Sequence, residues 1–136
     1  MRINIAELIL KIMNDSGLSE LVDTELDDHS VITFNMKDKL PPIHIINNED
    51  DEVWIWTTLG EFSFNSLNYY SLKLLPLMLT YNEDVFILGQ PCLYLDNNVL
   101  TLRAMIKECN LLSAEKFIDC LTAFLVVVQE YISVLI

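Results

Sequence analysis

Glycine is nearly missing from this chain: 136 residues hold three, Gly17, Gly60 and Gly89. A loop that cradles phosphates with successive backbone N–H groups needs glycines close together, so no such nucleotide site can be written. Histidine is scarcer still. His29 and His44 are the only two, and neither stands in a His-x-x-x-His or Cys/His spacing that would hold zinc. The three cysteines, Cys92, Cys109 and Cys120, are odd in number and share no metal-type spacing. They read as reduced, buried thiols in a reducing compartment, and no local arrangement makes one of them a Cys–His nucleophile. No cofactor, metal or catalytic residue is therefore expected. Positive charge is also short: 8 Lys+Arg face 20 Asp+Glu, a net charge of −12. Nucleic acid and anionic membrane surfaces would repel such a chain.

Apolar residues are plentiful, at 52% of the chain with a mean hydropathy of +0.35. That is ample for one core, and the length suits a single domain spanning residues 1–136. Strong acidity beside surplus apolar surface suits a protein that exposes greasy patches without precipitating. The opening Met1-Arg2-Ile3-Asn4 leads straight into an amphipathic pattern containing Glu7 and Lys11, which is not the pattern of a secretory signal. The apolar run from Phe117 to Ile136 is long enough to span a bilayer. Asp119, Gln129 and Glu130 lie within it, however, and each acid near a bilayer centre costs roughly 2.5–3.5 kcal/mol. A buried helix is the expectation, with no membrane insertion.

Periodicity sets out the elements. Ile5, Leu8, Ile9, Ile12 and Met13 form one helical stripe, capped by Asn4 with Glu7 three residues on and stopped at Ser16-Gly17. The acidic stretch Asp23 to Asp28 reads as a solvated connection. Three strand-like runs follow, His29–Met36, Pro42–Asn47 and Glu52–Leu59, separated by hairpin-sized gaps. Asn65 to Thr80 is a helix that is apolar nearly all round, and Pro76 inside it predicts a kink or an early end. A second hairpin turns at Asn97-Asn98, with Leu95 facing Leu100, Tyr94 facing Thr101 and Leu93 facing Leu102. Ser113 caps a last helix whose stripe reads Phe117, Leu121, Phe124, Leu125, Val128, Ile132. The order is α-β-β-β-α-β-β-α, an α+β fold with a twisted antiparallel sheet of about five strands and three helices, the first and last packed on the sheet.

Two sets of residues stand out as contact surfaces. Trp54 and Trp56 share one side of their strand, with Val53, Ile55 and Thr57 on the other. Both sides are apolar, so both should be covered. The tryptophans suit an ordinary core, or a docking surface, because aromatics are enriched where partners bind. Trp54, Trp56, Ile46 and Phe34 are the docking candidates, although placing Phe34 beside the tryptophans rests on an assumed strand register. The second set is Tyr69, Leu72 and Leu79 of the second helix, with Tyr94 of the neighbouring hairpin. That helix has more apolar surface than one sheet can cover, which points to a homodimer. The run Glu49-Asp50-Asp51-Glu52 lacks the alternating ligands and the glycine of a calcium loop and reads as a solvated hairpin tip.

The chain also resembles class I type III secretion chaperones, and within them the InvB/SpaK branch. The resemblance is carried by Ile5-Ala6-Glu7-Leu8, Ser16-Gly17, Asp28-His29-Ser30 with Ile32, and Leu40-Pro41 with Ile43 and Ile45. It is densest at Asp51-Glu52-Val53-Trp54-Ile55-Trp56 with Leu59-Gly60. It continues through Leu100-Thr101-Leu102, Leu112-Ser113 and Glu115-Lys116-Phe117. It implies a homodimer of the bacterial cytoplasm that is not an enzyme. Such a protein would bind the N-terminal regions of secreted effector proteins, keep them extended, and help deliver them to the export ATPase. The competing reading is a dimeric regulatory or structural module that holds a partner without a role in export.

Overall fold

A computed structural model describes residues 7, 11, 22–23, 32–36, 40–47, 52–80, 85–87 and 90–135. The strands are β1 (Val22–Asp23), β2 (Ile32–Phe34), β3 (Ile43–Asn47), β4 (Val53–Glu61), β5 (Cys92–Asp96) and β6 (Val99–Ile106). The helices are α1 (Phe64–Thr80) and α2 (Ala114–Leu135), the latter preceded by a 3-10 turn at Glu108–Leu111. One antiparallel sheet joins the strands in the order β1-β2-β3-β4-β6-β5. Five strands are those expected from alternation. The sixth, two-residue β1, pairs with β2 at the edge, where the sequence reads only as the start of a solvated acidic connection. Of the expected first helix, Glu7 and Lys11 are helical and exposed, and its remaining residues lie outside the described ones.

Strand alternation divides the sheet into two faces. Ile32, Phe34, Ile43, Ile45, Val53, Ile55, Thr57, Leu100, Leu102, Ala104 and Ile106 are buried on one of them. Fully burying an aliphatic side chain of this kind is worth about 1.5–3 kcal/mol. Helix α2 closes this core. Phe117 stands 6.4 Å from Phe34 and Phe124 stands 6.1 Å from Phe86, centroid to centroid. Ser113 caps α2 through its Oγ, which accepts a bond from the Lys116 N–H at 3.1 Å. The segment at Val85 is tied down from the 3-10 turn, where Asn110 Nδ2 donates to the Val85 carbonyl at 2.7 Å.

The buried stripe of α2 is Phe117, Cys120, Phe124, Val127, Val128, Tyr131 and Leu135. Leu121, Leu125 and Ile132, expected within it, are only partly buried. The helix is apolar on nearly every side, so several stripes fit its sequence, and packing on the sheet selects one rotated from the expected line. It is long and apolar enough to cross a membrane, and in the fold this face is buried against the sheet.

Helix α1 starts at Ser63, whose Oγ accepts from the Ser66 N–H at 3.2 Å. It continues past Pro76 to Thr80, so the proline does not end it early. Proline removes the bond to the Leu72 carbonyl, and Leu72 lies on the exposed side of the helix, where water can take that carbonyl. The chain reaches α1 through a bulge between Thr58 and Gly60. Gly60 has φ +148°, and a Cβ there would stand 3.0 Å from the Phe62 ring. Both features favour glycine at this corner. The second hairpin forms in the expected register, with Asn97 and Asn98 at φ 51° and 64° as a two-residue turn requires.

Candidate functional site

The sheet face opposite the core is where the tryptophans lie. β3 and β4 pair so that Ile46 meets Trp54 and His44 meets Trp56. On the other side of β4, Trp54 meets Met105 and Trp56 meets Arg103 of β6. One strand further, Cys92 pairs with Arg103 and Tyr94 with Thr101. Ile46, Trp54, Trp56, Tyr94 and Arg103 together line a concavity of about 450 Å³. All but Tyr94 are half-buried, Tyr94 is exposed, and neither α1 nor α2 covers this face. Both sides of β4 are expected to be covered; among the described residues helix α2 covers the core side and neither described helix covers the tryptophan side.

Polar contacts fix the aromatic floor. The Trp56 ring lies 5.1 Å from His44, centroid to centroid. His44 Nδ1 and Thr33 Oγ1 are 3.0 Å apart, which sets the imidazole's orientation. Burial pushes the His44 pKa below its ordinary value of 6.5, which favours the neutral ring. The guanidinium carbon of Arg103 lies 4.8 Å from the Tyr94 ring centroid, and Arg103 Nε donates to Thr101 Oγ1 at 3.0 Å. These pairings hold a positive charge at the rim of an apolar hollow.

Phe34 does not belong to this face. It pairs with Ile43, is fully buried, and packs on Phe117. Pairing Ile45 with both Ile32 and Ile55 puts the even-numbered residues of β2 on the core side, whereas the even-numbered residues of β3 and β4 face outward. Parity within one strand cannot reveal that offset. His44 and Arg103 were missed for the same reason. Each shares a strand face with a residue already named, His44 with Ile46 and Arg103 with Thr101, and cross-strand register brings them to the tryptophans.

A second apolar surface runs along α1. Leu72, Tyr69 and Leu79 are 88%, 83% and 75% exposed, and Phe64 and Leu75 extend the strip. A groove of about 550 Å³ follows it, bounded by Leu75 and Met78 of the helix and by Leu93 and Leu95 of β5. Tyr94 does not join this strip. It points to the other side of β5 from Leu93 and Leu95, towards Arg103, so the four residues named for a dimer contact divide into three on α1 and one in the tryptophan concavity.

Among the described residues no three His, Cys, Asp or Glu side chains gather as metal ligands. Of the three cysteines expected to be buried, Cys92 and Cys109 are exposed, placed there by an edge strand and the 3-10 turn, and only Cys120 is buried. Burial pushes the Cys120 thiol up to about 12, which leaves it protonated.

Three comparisons relate the chain to known proteins. Residues 17–97 match the model of the Invasion protein B family. The chain is 33% identical to the surface presentation of antigens protein SpaK of Salmonella typhimurium over 124 residues, covering 90% of this chain and 88% of that one. The Salmonella typhi protein of the same name gives the same figures. Among solved structures, the Yersinia pestis type III secretion chaperone SycH, in complex with a stable fragment of YscM2, superposes with a TM-score of 0.58. The identity is 17%, with 91% of this chain and 96% of that chain covered, so the likeness is one of fold.

Proposed function

This chain belongs to the Invasion protein B family, an InvB/SpaK-like branch of the type III secretion chaperones, and we propose that it binds the N-terminal regions of secreted effector proteins on the open tryptophan face of its sheet. The family is non-enzymatic, in keeping with a site built of aromatic and aliphatic side chains. The observation that carries the reading is the half-buried group Ile46, Trp54 and Trp56 on a sheet face left open by both described helices. An extended client segment laid there buries apolar surface through alternate side chains and is kept from folding before export. The bound YscM2 fragment of SycH supports the idea that this fold holds another polypeptide.

Two chains working together complete the proposal. The exposed strip Tyr69, Leu72 and Leu79 on α1 is the surface a second copy would cover, giving a homodimer that offers two client faces. The dimer acts in the bacterial cytoplasm and hands its client to the export ATPase, consuming no nucleotide itself. Co-purification from the native host, with mass spectrometry of the bound polypeptides, tests this reading. N-terminal segments of secreted effectors are expected on the wild type and lost from Trp54→Ala and Trp56→Ala. Full retention of clients by folded tryptophan variants would remove the face from the mechanism.

A further inference from the structure

Among the described residues, Arg103 is the one cationic side chain lining the tryptophan concavity, in a protein whose net charge is −12. Its cross-strand partners are Trp56 and Cys92, its neighbours on the same face of β6 are Thr101 and Met105, and none of these is a carboxylate. Its contacts are the Tyr94 ring, over which the guanidinium carbon lies, and the Thr101 hydroxyl, whose oxygen accepts a hydrogen bond from Nε–H. That leaves the two terminal nitrogens, the fork suited to a carboxylate, without an acceptor among the described residues. A polypeptide docked over the tryptophans would strip water from this fork, and an uncompensated buried charge is strongly unfavourable. A docked segment therefore binds well only if it brings the missing acceptor.

We propose that Arg103 is the polar anchor of this concavity and pairs with a carboxylate of the docked segment. That Asp or Glu lies within two residues of the apolar side chain that fills the hollow between Ile46, Trp54 and Trp56. In an extended chain, residues i and i+2 point the same way about 6.5–7 Å apart. Arg103 stands opposite Trp56 on the adjacent strand, a spacing of about 4.8 Å, so an acid one or two positions from the docked apolar side chain falls within its reach. The acidic remainder of the protein repels a segment that is acidic throughout, so the pattern is a single acid beside an apolar residue. This inference rests on the client reading above and specifies the chemistry of that client.

The test uses the full chain and the client segment identified by co-purification, with affinities from titration calorimetry. Each Asp and Glu of the segment is changed in turn to Asn or Gln and measured against wild type, Arg103→Gln and Arg103→Lys. One position is expected to lose roughly 10- to 100-fold on the wild type, the range of a charge-assisted bond. It should lose almost nothing further on Arg103→Gln, and Arg103→Lys should fall between. Unchanged melting temperatures for both variants exclude a folding defect. Tight binding that is indifferent to Arg103→Gln, or acidic positions whose effects simply add to it, overturns the inference while leaving the client reading intact. Unchanged affinity in folded Trp54→Ala and Trp56→Ala overturns both.

Discussion

Truncating Phe34 to Ala separates the two faces of the sheet in one measurement. Phe34 is fully buried, opposite Ile43 on the neighbouring strand and against Phe117 of α2. Removing a ring at such a site forfeits its transfer energy and leaves a cavity, about 3–5 kcal/mol in all. Roughly 0.5–1.5 kcal/mol of that comes from the aromatic pair with Phe117. Trp54 is half-buried on the open face, so its truncation forfeits about half of a full burial, roughly 1 kcal/mol. In a domain of this size each kcal/mol moves Tm by about 3–5 °C. Phe34→Ala should therefore melt roughly 10–20 °C below the wild type, and Trp54→Ala about 5 °C below or less. Client affinity should change in the opposite order. Trp54→Ala should lose about 2 kcal/mol or more, near 30-fold, if it is a hot spot, and the folded fraction of Phe34→Ala should bind as the wild type does. Thermal unfolding at one fixed protein concentration, alongside calorimetric titration with the client segment, reads both quantities. A thermally neutral Phe34→Ala that fails to bind, or a Trp54→Ala that collapses with Phe34→Ala intact, would refute the assignment of faces.

Leu72→Asp places a charge on the exposed strip of α1, twice in an isologous contact. Sedimentation should show monomer or aggregate where the wild type is a dimer, and a wild type monomeric at micromolar concentration ends the dimer proposal. Ser113→Ala removes the acceptor for the Lys116 N–H and should cost about 1 kcal/mol in urea unfolding; Ser113→Asp should retain most of the stability. His44 contributes a pH dependence of definite sign. Burial lowers its folded pKa below 6.5, so the unfolded chain takes up a proton that the folded chain refuses. Its contribution to stability is present above pH 6.5 and is lost as pH falls from there through the folded pKa. His44→Gln should show a shallower fall in Tm between pH 7.5 and 5.5 than the wild type, and equal slopes would mean that His44 does not titrate differently on folding.

Much of this protein is decided by local chemistry and is legible in the residues alone. The Asn97-Asn98 turn fixes the second hairpin, because a two-residue loop with two positive φ angles sets the pairing of every residue behind it. Ser113 fixes the start of α2 through one hydroxyl. Alternation puts Trp54 with Trp56 and opposite Ile55, whatever the sheet around them. The shortage of glycine, histidine and metal-type spacing argues against the common kinds of chemistry before any coordinate is known. Tertiary structure decided the matters that depend on how separate elements meet. The register of β2 against β3 sent Phe34 into the core, and the pairing of β4 with β6 brought Arg103, over forty residues away in sequence, beside Trp56. Helix α2 carries several apolar stripes, and only the shape of the sheet beneath it chose the one through Cys120, Val127 and Tyr131. The physical reason is the same in each case. A strand or helix specifies its own periodicity within a few residues, but the offset between two elements is set by the packing energy of the whole core, which no single segment contains.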